Sequence, residues 1–135
     1  MALQYSTTVR NAKLDALETA IGTSPLLKIR SGSAPANCAT ADSGTVLATM
    51  TLPSDWLAAA SSGSKAKSGT WQDSSADATG TAAHFRIYDS TGTTCHLQGT
   101  VTATGGGGDL TLDNTSIASG QSITINTFSI TAANA

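Results

Sequence analysis

Four side chains of the kinds that ligate zinc are the first candidates for chemistry in this sequence: Cys38, His84, Cys95 and His96. Thiolate and imidazole are the usual zinc ligands, but the spacing fits none of the known short zinc motifs. On the two arms of a hairpin, His84 and His96 would lie on polar faces and pair across the strands. Cys95 would point to the opposite face from His96. We therefore expect a cross-strand histidine pair, and no metal or other cofactor.

Residues that could act as a nucleophile, base or acid are present without the local patterns that catalysis uses. No GxSxG sequence accompanies the serines, and the acidic residues are nearly all aspartates in turns, where they cap backbone amides. The four glycines at 105–108 lack the lysine and the helix that follow a phosphate-binding loop. These features predict a protein that is not an enzyme.

The two cysteines and the two tryptophans each have two interpretations. Cys38 and Cys95 are expected to be reduced thiols at synthesis in a cytoplasm, with a disulfide after release into an oxidising medium as the alternative. Trp56 and Trp71 could stack on sugars, but in a chain with 4% aromatic residues a place in the core is favoured.

A β-hairpin over Ala83–Val101 is the stretch that would position most of these side chains. Apolar and polar residues alternate on both arms, and Asp89–Gly92 supplies turn residues between them. The alternation predicts one buried face, formed by Phe85, Ile87, Leu97 and Val101. The other face would be either the second wall of a buried sheet or a surface offered to a partner, and it comprises His84, Arg86, Tyr88, His96 and Gln98.

One amphipathic helix precedes the predicted strands. Leu14, Leu17 and Ile21 follow helical spacing, Ser6 or Thr7 can cap the first turn, and Gly22 suits the C-terminal end. Strands are predicted at 26–30, with Leu27 and Ile29 inward, and at 46–52, with Val46 and Met50 inward. In the last predicted strand the apolar residues change parity near position 126, which indicates a bulge or a crossing between sheets.

These elements predict a mainly β protein, a jelly-roll-like antiparallel β-sandwich with one short N-terminal helix. A length of 135 residues fits a single domain, 1–135, with the helix at 6–22 and the sandwich at 25–132.

The composition restricts the classes of partner. Only 12% of residues are charged and the net charge is -2, which argues against nucleic acid. No stretch approaches the roughly 20 apolar residues of a membrane span, and the start does not resemble a secretory signal. A surface rich in Ser, Thr and Ala suits a protein packed against copies of itself or a larger partner, because such residues lose little entropy and solvation on contact.

Several long segments resemble a family of small tailed-bacteriophage proteins encoded near the major capsid gene, which includes capsid cement or decoration proteins. The segments are ALQYSTTVRNAKLDALE, DSGTVLATMTLPSDW, HFRIYDSTGTTCHLQGTV and DLTLDNTSIASGQSITINTFSITA. The resemblance implies a structural protein on the outside of an HK97-type capsid, made in the host bacterial cytoplasm. Its implied partners are the major capsid protein and its own copies, as a dimer or trimer.

Two other functions remain open from the sequence. The chain could be a tail or baseplate component, which would be present in far fewer copies than a shell protein. It could also be a carbohydrate-binding module that recognises a host-surface glycan, which requires Trp56 or Trp71 on an exposed face.

Overall fold

The computed structural model describes residues 3–133 and has a mainly β, sandwich-like fold with one N-terminal helix. The predicted fold class is thereby confirmed. The predicted domain of 1–135 includes two residues at each end that lie outside the described residues. The elements are α1 (Thr7–Ile21), β1 (Leu26–Arg30), β2 (Val46–Thr51), β3 (Ser64–Ala66), β4 (Trp71–Asp73), β5 (Gly80–Thr81), β6 (His84–Tyr88), β7 (Cys95–Ala103), β8 (Leu110–Leu112), β9 (Ser116–Ile117), β10 (Ile123–Ile125) and β11 (Ser129–Thr131).

One layer of the sandwich is a five-stranded sheet in the order β2-β1-β6-β7-β8. All its pairs are antiparallel except β7 with β8, which run parallel. The other layer consists of short two-stranded ribbons, β10-β4 and β11-β3, with a third ribbon, β5-β9, beside them. The parity change near position 126 corresponds to the passage from β10, which pairs with β4, to β11, which pairs with β3.

The core lies between these layers. Among the predicted core residues, Leu27, Ile29, Met50, Phe85, Ile87 and Val101 are buried, and Leu97 is partly buried against them. Aromatic rings connect the layers, since Phe128 lies 5.7 Å from Phe85 and 5.3 Å from Trp71 between ring centroids. Such aromatic pairs add to the stabilisation from burial alone.

Val46 is a correction, because it is half-buried and lies outside the core cluster. Ile29 pairs with Ala48 and Arg30 with Val46, so Leu47 is an extra residue in β2. A one-residue bulge reverses the alternation of faces beyond it. Val46 consequently lies on the face opposite to that of Ala48 and Met50, while Leu47 is fully buried.

Helix α1 begins and ends at the predicted caps. The side chain of Ser6 accepts a hydrogen bond from the Val9 amide at 3.2 Å. At the other end the amide of Gly22, with φ of 92°, donates to the carbonyl of Glu18. This left-handed conformation favours glycine.

The helix packs on its own domain, through β3 and the chain after β11. The ammonium of Lys65 on β3 is buried and lies 2.8 Å from both Asp15 and Glu18. Burial alone would lower the pKa of Lys65, but hydrogen bonds and charge from these two carboxylates hold that pKa above its usual value. Arg10 donates to the carbonyl of Ala132 at 2.7 Å. Helix α1 is therefore held at a fixed place on the sandwich.

Candidate functional site

The polar face of the five-stranded sheet is covered by the segment 31–45, which we call the cover loop. It leaves β1 and returns to β2, and its base is closed by a hydrogen bond from the Ser31 amide to the Thr45 carbonyl at 3.0 Å. Its composition, SGSAPANCATADSGT, supplies few apolar side chains that could anchor it by burial. Polar contacts with the sheet below must therefore hold it in place.

Arg86, at the centre of β6, supplies most of those contacts. Its side chain is 2% exposed, and its Nε donates to the side-chain oxygen of Gln98 at 3.1 Å. Its Nη1 donates to the carboxylate of Asp42. Its Nη2 donates to three backbone carbonyls of the cover loop, those of Asn37 (3.0 Å), Cys38 (3.1 Å) and Thr40 (3.0 Å). The guanidinium thus satisfies loop carbonyls that would otherwise be buried without a donor.

Asp42 is the carboxylate that both arginines of this region share. It accepts from Arg30 at 2.9 Å and from the Tyr88 hydroxyl at 2.6 Å, in addition to Arg86. Burial acts to raise its pKa, but the hydrogen bonds from Tyr88 and Arg86 and the charges of both arginines outweigh it and leave the pKa lowered. Burial, together with the hydrogen bond to Asp42, raises the pKa of Tyr88. Asp42 is therefore ionised at neutral pH and fully engaged as an acceptor.

We call the cluster of Arg30, Asp42, Arg86 and Tyr88 the clamp, because it holds the cover loop on the sheet. The arginines donate hydrogen bonds to loop carbonyls and to Asp42, and the Tyr88 hydroxyl donates to Asp42 as well. Two buried nitrogens, Nε of Arg30 and Nε2 of His84, have no hydrogen-bond partner among the described residues. Two guanidinium groups with one carboxylate leave this region locally positive.

The predicted partner-facing set is corrected by these contacts. His84, Arg86 and Tyr88 are all buried, because the cover loop lies over them. Gln98 is half-buried and donates to the Pro35 carbonyl at 2.7 Å. Only His96 is exposed. This face is thus an internal wall of the protein, as one of the two interpretations of the hairpin allowed.

His84 and His96 do not pair across the strands. His84 lies opposite Thr100, and its Nδ1 is 2.7 Å from the carbonyl of Gly32. Ile87 pairs with Leu97 and Tyr88 with Cys95, so His96 is the extra residue of a bulge in β7. The described residues contain no group of three or more His, Cys, Asp or Glu side chains placed to hold a metal ion.

The same bulge decides where Cys95 points. Regular alternation would place Cys95 on the core face with Leu97, whereas the bulge places it opposite Tyr88 on the face below the cover loop. There its sulfur is 2.9 Å from the sulfur of Cys38. Burial, and then the contact with Cys38, raises the pKa of the Cys95 thiol.

The tryptophans belong to the core. Trp56 and Trp71 are fully buried, with ring centroids 6.0 Å apart. Each indole N–H has a backbone acceptor, the Gly22 carbonyl at 3.0 Å and the Ser68 carbonyl at 3.1 Å respectively. A glycan site that uses either ring as an exposed platform is therefore wrong.

The four glycines at 105–108 form the tight connection between β7 and β8. Gly105 and Gly107 have φ of 87° and 81°. A side chain at Gly106 or Gly108 would approach the Thr102 side chain to 2.8 Å. These glycines are thus explained by backbone conformation and close packing.

The exposed large apolar side chains of the described residues all lie near the N-terminus: Leu3 (69% exposed), Tyr5 (36%) and Val9 (43%). We call these three residues the N-terminal patch. The ammonium of Lys13 lies 4.5 Å from the centroid of the Tyr5 ring. Because α1 is anchored by Arg10 and Lys65, the patch is presented at the end of a fixed element.

A second accessible feature is the outer edge of β7. Strand β8 pairs only with Val101–Ala103, so within residues 3–133 the earlier part of β7 has a partner strand on one side only. A groove of about 530 Å³ runs along this edge towards β11 and is lined by Leu97, Asp109 and Ile130 among others. An open strand edge can accept backbone hydrogen bonds from another chain.

The sandwich with its clamped loop defines a mainly β protein with one N-terminal helix. Comparison of the chain with protein-family models, with curated proteins and with solved structures finds no match. In the described part of the chain, no helix is long and apolar enough to cross a membrane.

Sequence reasoning missed Arg30 and Asp42 as members of the cluster. Arg30 alternates with Ile29 and so points away from the core, which was a usable signal. Asp42 carried none, because nothing in the pattern of a loop rich in turn residues shows which carboxylate will reach a side chain of β6, 44 residues further along the chain.

Proposed function

We propose that this protein is a non-enzymatic virion structural protein, a decoration protein that binds the outer surface of an HK97-type phage capsid and stabilises contacts between capsomers. The observation that carries the proposal is the N-terminal patch, which concentrates the exposed large apolar side chains on one short segment. Clustered exposed apolar residues on a soluble protein mark a surface for another protein. The resemblance of the sequence to phage decoration proteins supplies the identity of that partner.

The anchoring of α1 supports a docking role for the patch. A surface segment that is already fixed loses little conformational entropy on binding, so more of the contact energy remains as affinity. Arg10 and Lys65 hold α1 on the sandwich, and only Leu14 and Ile21 of the helix are buried. Most of the other helix residues are exposed and so can contact a neighbouring subunit.

The open edge of β7 supports contact with further copies or with the shell through added backbone hydrogen bonds. Only 12% of the residues of the chain are charged, which limits the desolvation cost of contacts on its surface. The stabilisation would need no chemical reaction. A protein that binds the assembled shell and not its free subunits shifts the assembly equilibrium towards the shell by mass action.

The direct test compares phage particles with and without this protein. Particles that lack it should release their DNA at lower temperature, and intact particles should contain hundreds of copies. Unchanged heat stability would contradict the proposal. A copy number of a few per particle would also contradict it, and would favour the tail or baseplate alternative.

The patch itself is tested by binding of purified protein to shells that lack it, measured by co-sedimentation. Leu3→Asp with Val9→Asp should weaken binding about 100-fold or more, because two apolar contacts are lost and two charges must be desolvated. Asp at position 9 is the third helical residue, where a carboxylate stabilises a helix. The matched control is Ser90→Asp with Ala118→Asp, which adds the same charge at two other exposed residues and should leave binding unchanged. Equal binding by both variants would show that the N-terminal patch is not the surface that binds the shell.

A further inference from the structure

Cys38 and Cys95 are both free cysteines, and the polar contacts of the clamp do not involve their sulfurs. They are 57 residues apart in the sequence, yet their sulfurs lie 2.9 Å apart. We propose that Cys38 and Cys95 form a disulfide when the protein meets a disulfide oxidant, and that this bond fastens the cover loop to β7. The proposal does not depend on the proposed function.

The Cys38 side is already positioned by the clamp. Arg86 donates to the carbonyl of Cys38 itself and to those of Asn37 and Thr40. The side chain of Asn37 accepts from the amides of Ala39 and Thr40, both at 3.0 Å, which closes a tight turn around Cys38. The backbone that carries the first sulfur is thus held from both sides.

The Cys95 side is positioned by the bulge at His96. Tyr88 pairs with Cys95 in the ladder and its hydroxyl binds Asp42 of the cover loop at 2.6 Å. Asp42 and Arg86, which line the same cavity as the two cysteines, therefore join the loop to the sheet close to the sulfurs. A sulfur separation only about 0.9 Å beyond a disulfide bond requires little movement for closure.

The thiols are accessible to a reagent. Both cysteines are half-buried and both line a cavity of about 250 Å³ next to Thr93. A single thiol would stop at a mixed disulfide with the reagent, whereas a second thiol placed next to it can displace the reagent and close a disulfide within the protein.

The reaction balances with glutathione disulfide as the oxidant. One cysteine thiolate attacks a glutathione sulfur, forms a mixed disulfide and releases one glutathione as a thiolate, which takes up a proton. The second cysteine loses its proton to water and attacks the protein sulfur of the mixed disulfide, so that a second glutathione leaves. Two protein thiols are oxidised and one glutathione disulfide is reduced to two glutathiones.

The environment of Cys95 makes the rate of closure depend on pH. Burial raises the pKa of its thiol, so it supplies little thiolate at neutral pH. Attack by Cys95 is therefore slow at neutral pH. Closure should become faster as the pH rises, because the thiolate fraction of Cys95 increases.

The experiment uses the full chain, reduced, freed of reductant and then incubated with glutathione disulfide. We expect a monomeric product whose intact mass has fallen by two hydrogen atoms and which has no titratable thiol after denaturation. A bridge across 57 residues restricts the unfolded chain, and the thermal midpoint should rise by about 10 °C. Reductant should reverse both changes.

Three single variants make the outcomes decisive. Cys95→Ser should stop at one glutathione on Cys38, and neither Cys95→Ser nor Cys38→Ser should show the rise in thermal midpoint. Asn37→Ala removes the side chain that closes the turn around Cys38 and should slow closure while leaving the end product the same. The proposal is overturned if wild-type protein retains two thiols, takes up two glutathiones, or forms disulfide-linked dimers.

Discussion

At the scale of single residues, Arg86 is the side chain on which the cover loop depends. It is buried, and each of its nitrogens donates to a partner, including three loop carbonyls and Asp42. A buried polar network is costly to break, because each partner left behind loses its hydrogen bond without regaining water.

We predict that Arg86→Met lowers the free energy of unfolding by about 3 kcal/mol at neutral pH, since the loop carbonyls lose their donor and Asp42 keeps only Arg30 and Tyr88. Urea unfolding followed by tryptophan fluorescence measures it. Lys28 is the matched control, because it lies directly opposite Arg86 on β1, is half-buried and makes no such network. Lys28→Met should cost no more than about 1 kcal/mol. If both variants lose the same free energy of unfolding, the cover loop does not depend on Arg86.

Alternation along the hairpin was sufficient to place Phe85, Ile87 and Leu97 on the core side, because burial on one face imposes a period of two. It could not tell that the opposite face would also be buried. That outcome depends on the pairing of Arg86 and Tyr88 with a distant loop, and long-range polar pairing leaves no periodic signal in a sequence.

At the scale of elements, the helix and its caps were predictable because Ser6, Gly22 and the spacing of Leu14 and Ile21 act locally. The strands were less so, since two bulges, at Leu47 and at His96, each reverse the faces beyond them. Regular alternation assigns Val46 and Cys95 to the core. The bulge at Leu47 moves Val46, and the bulge at His96 moves Cys95, to the face below the cover loop.

The bulge in β7 leads to a prediction about chain length. Deletion of His96 leaves Leu97 opposite Ile87 and Cys95 opposite Tyr88, now in a regular strand, and removes only an exposed side chain. The free energy of unfolding should change by no more than about 1 kcal/mol. Deletion of Gln98 is the control, because it places Leu97 opposite Arg86 and His96 opposite Ile87. That exchange puts a polar residue into the core, and the variant should fail to fold, as seen by circular dichroism. If the two deletions are equally damaging, His96 is not the extra residue of the strand.

At the scale of the whole molecule, the two layers are joined by a line of aromatic rings that runs from Phe85 through Phe128 and Trp71 to Trp56. Phe128 stands between the five-stranded sheet and the ribbons and is 7% exposed. Layers that share one core should unfold together, since neither ribbon, β10-β4 or β11-β3, is long enough to be stable alone.

We therefore predict that the two layers unfold in a single transition. The two tryptophans of the chain lie at β4 and at the turn after β2, so fluorescence reports on the side of the core nearest the ribbons, whereas circular dichroism follows the strands as a whole. The two signals should coincide during urea unfolding.

Phe128→Ala should move both midpoints together. It should lower the free energy of unfolding by about 3 to 5 kcal/mol, because the cavity that it leaves lies where the layers meet. Leu3→Ala, which shortens an exposed apolar side chain, should change it by less than about 0.5 kcal/mol. If fluorescence in the Phe128 variant were lost well before the circular dichroism signal, the ribbons would be separable from the sheet and the shared core would not be what makes the protein one cooperative unit.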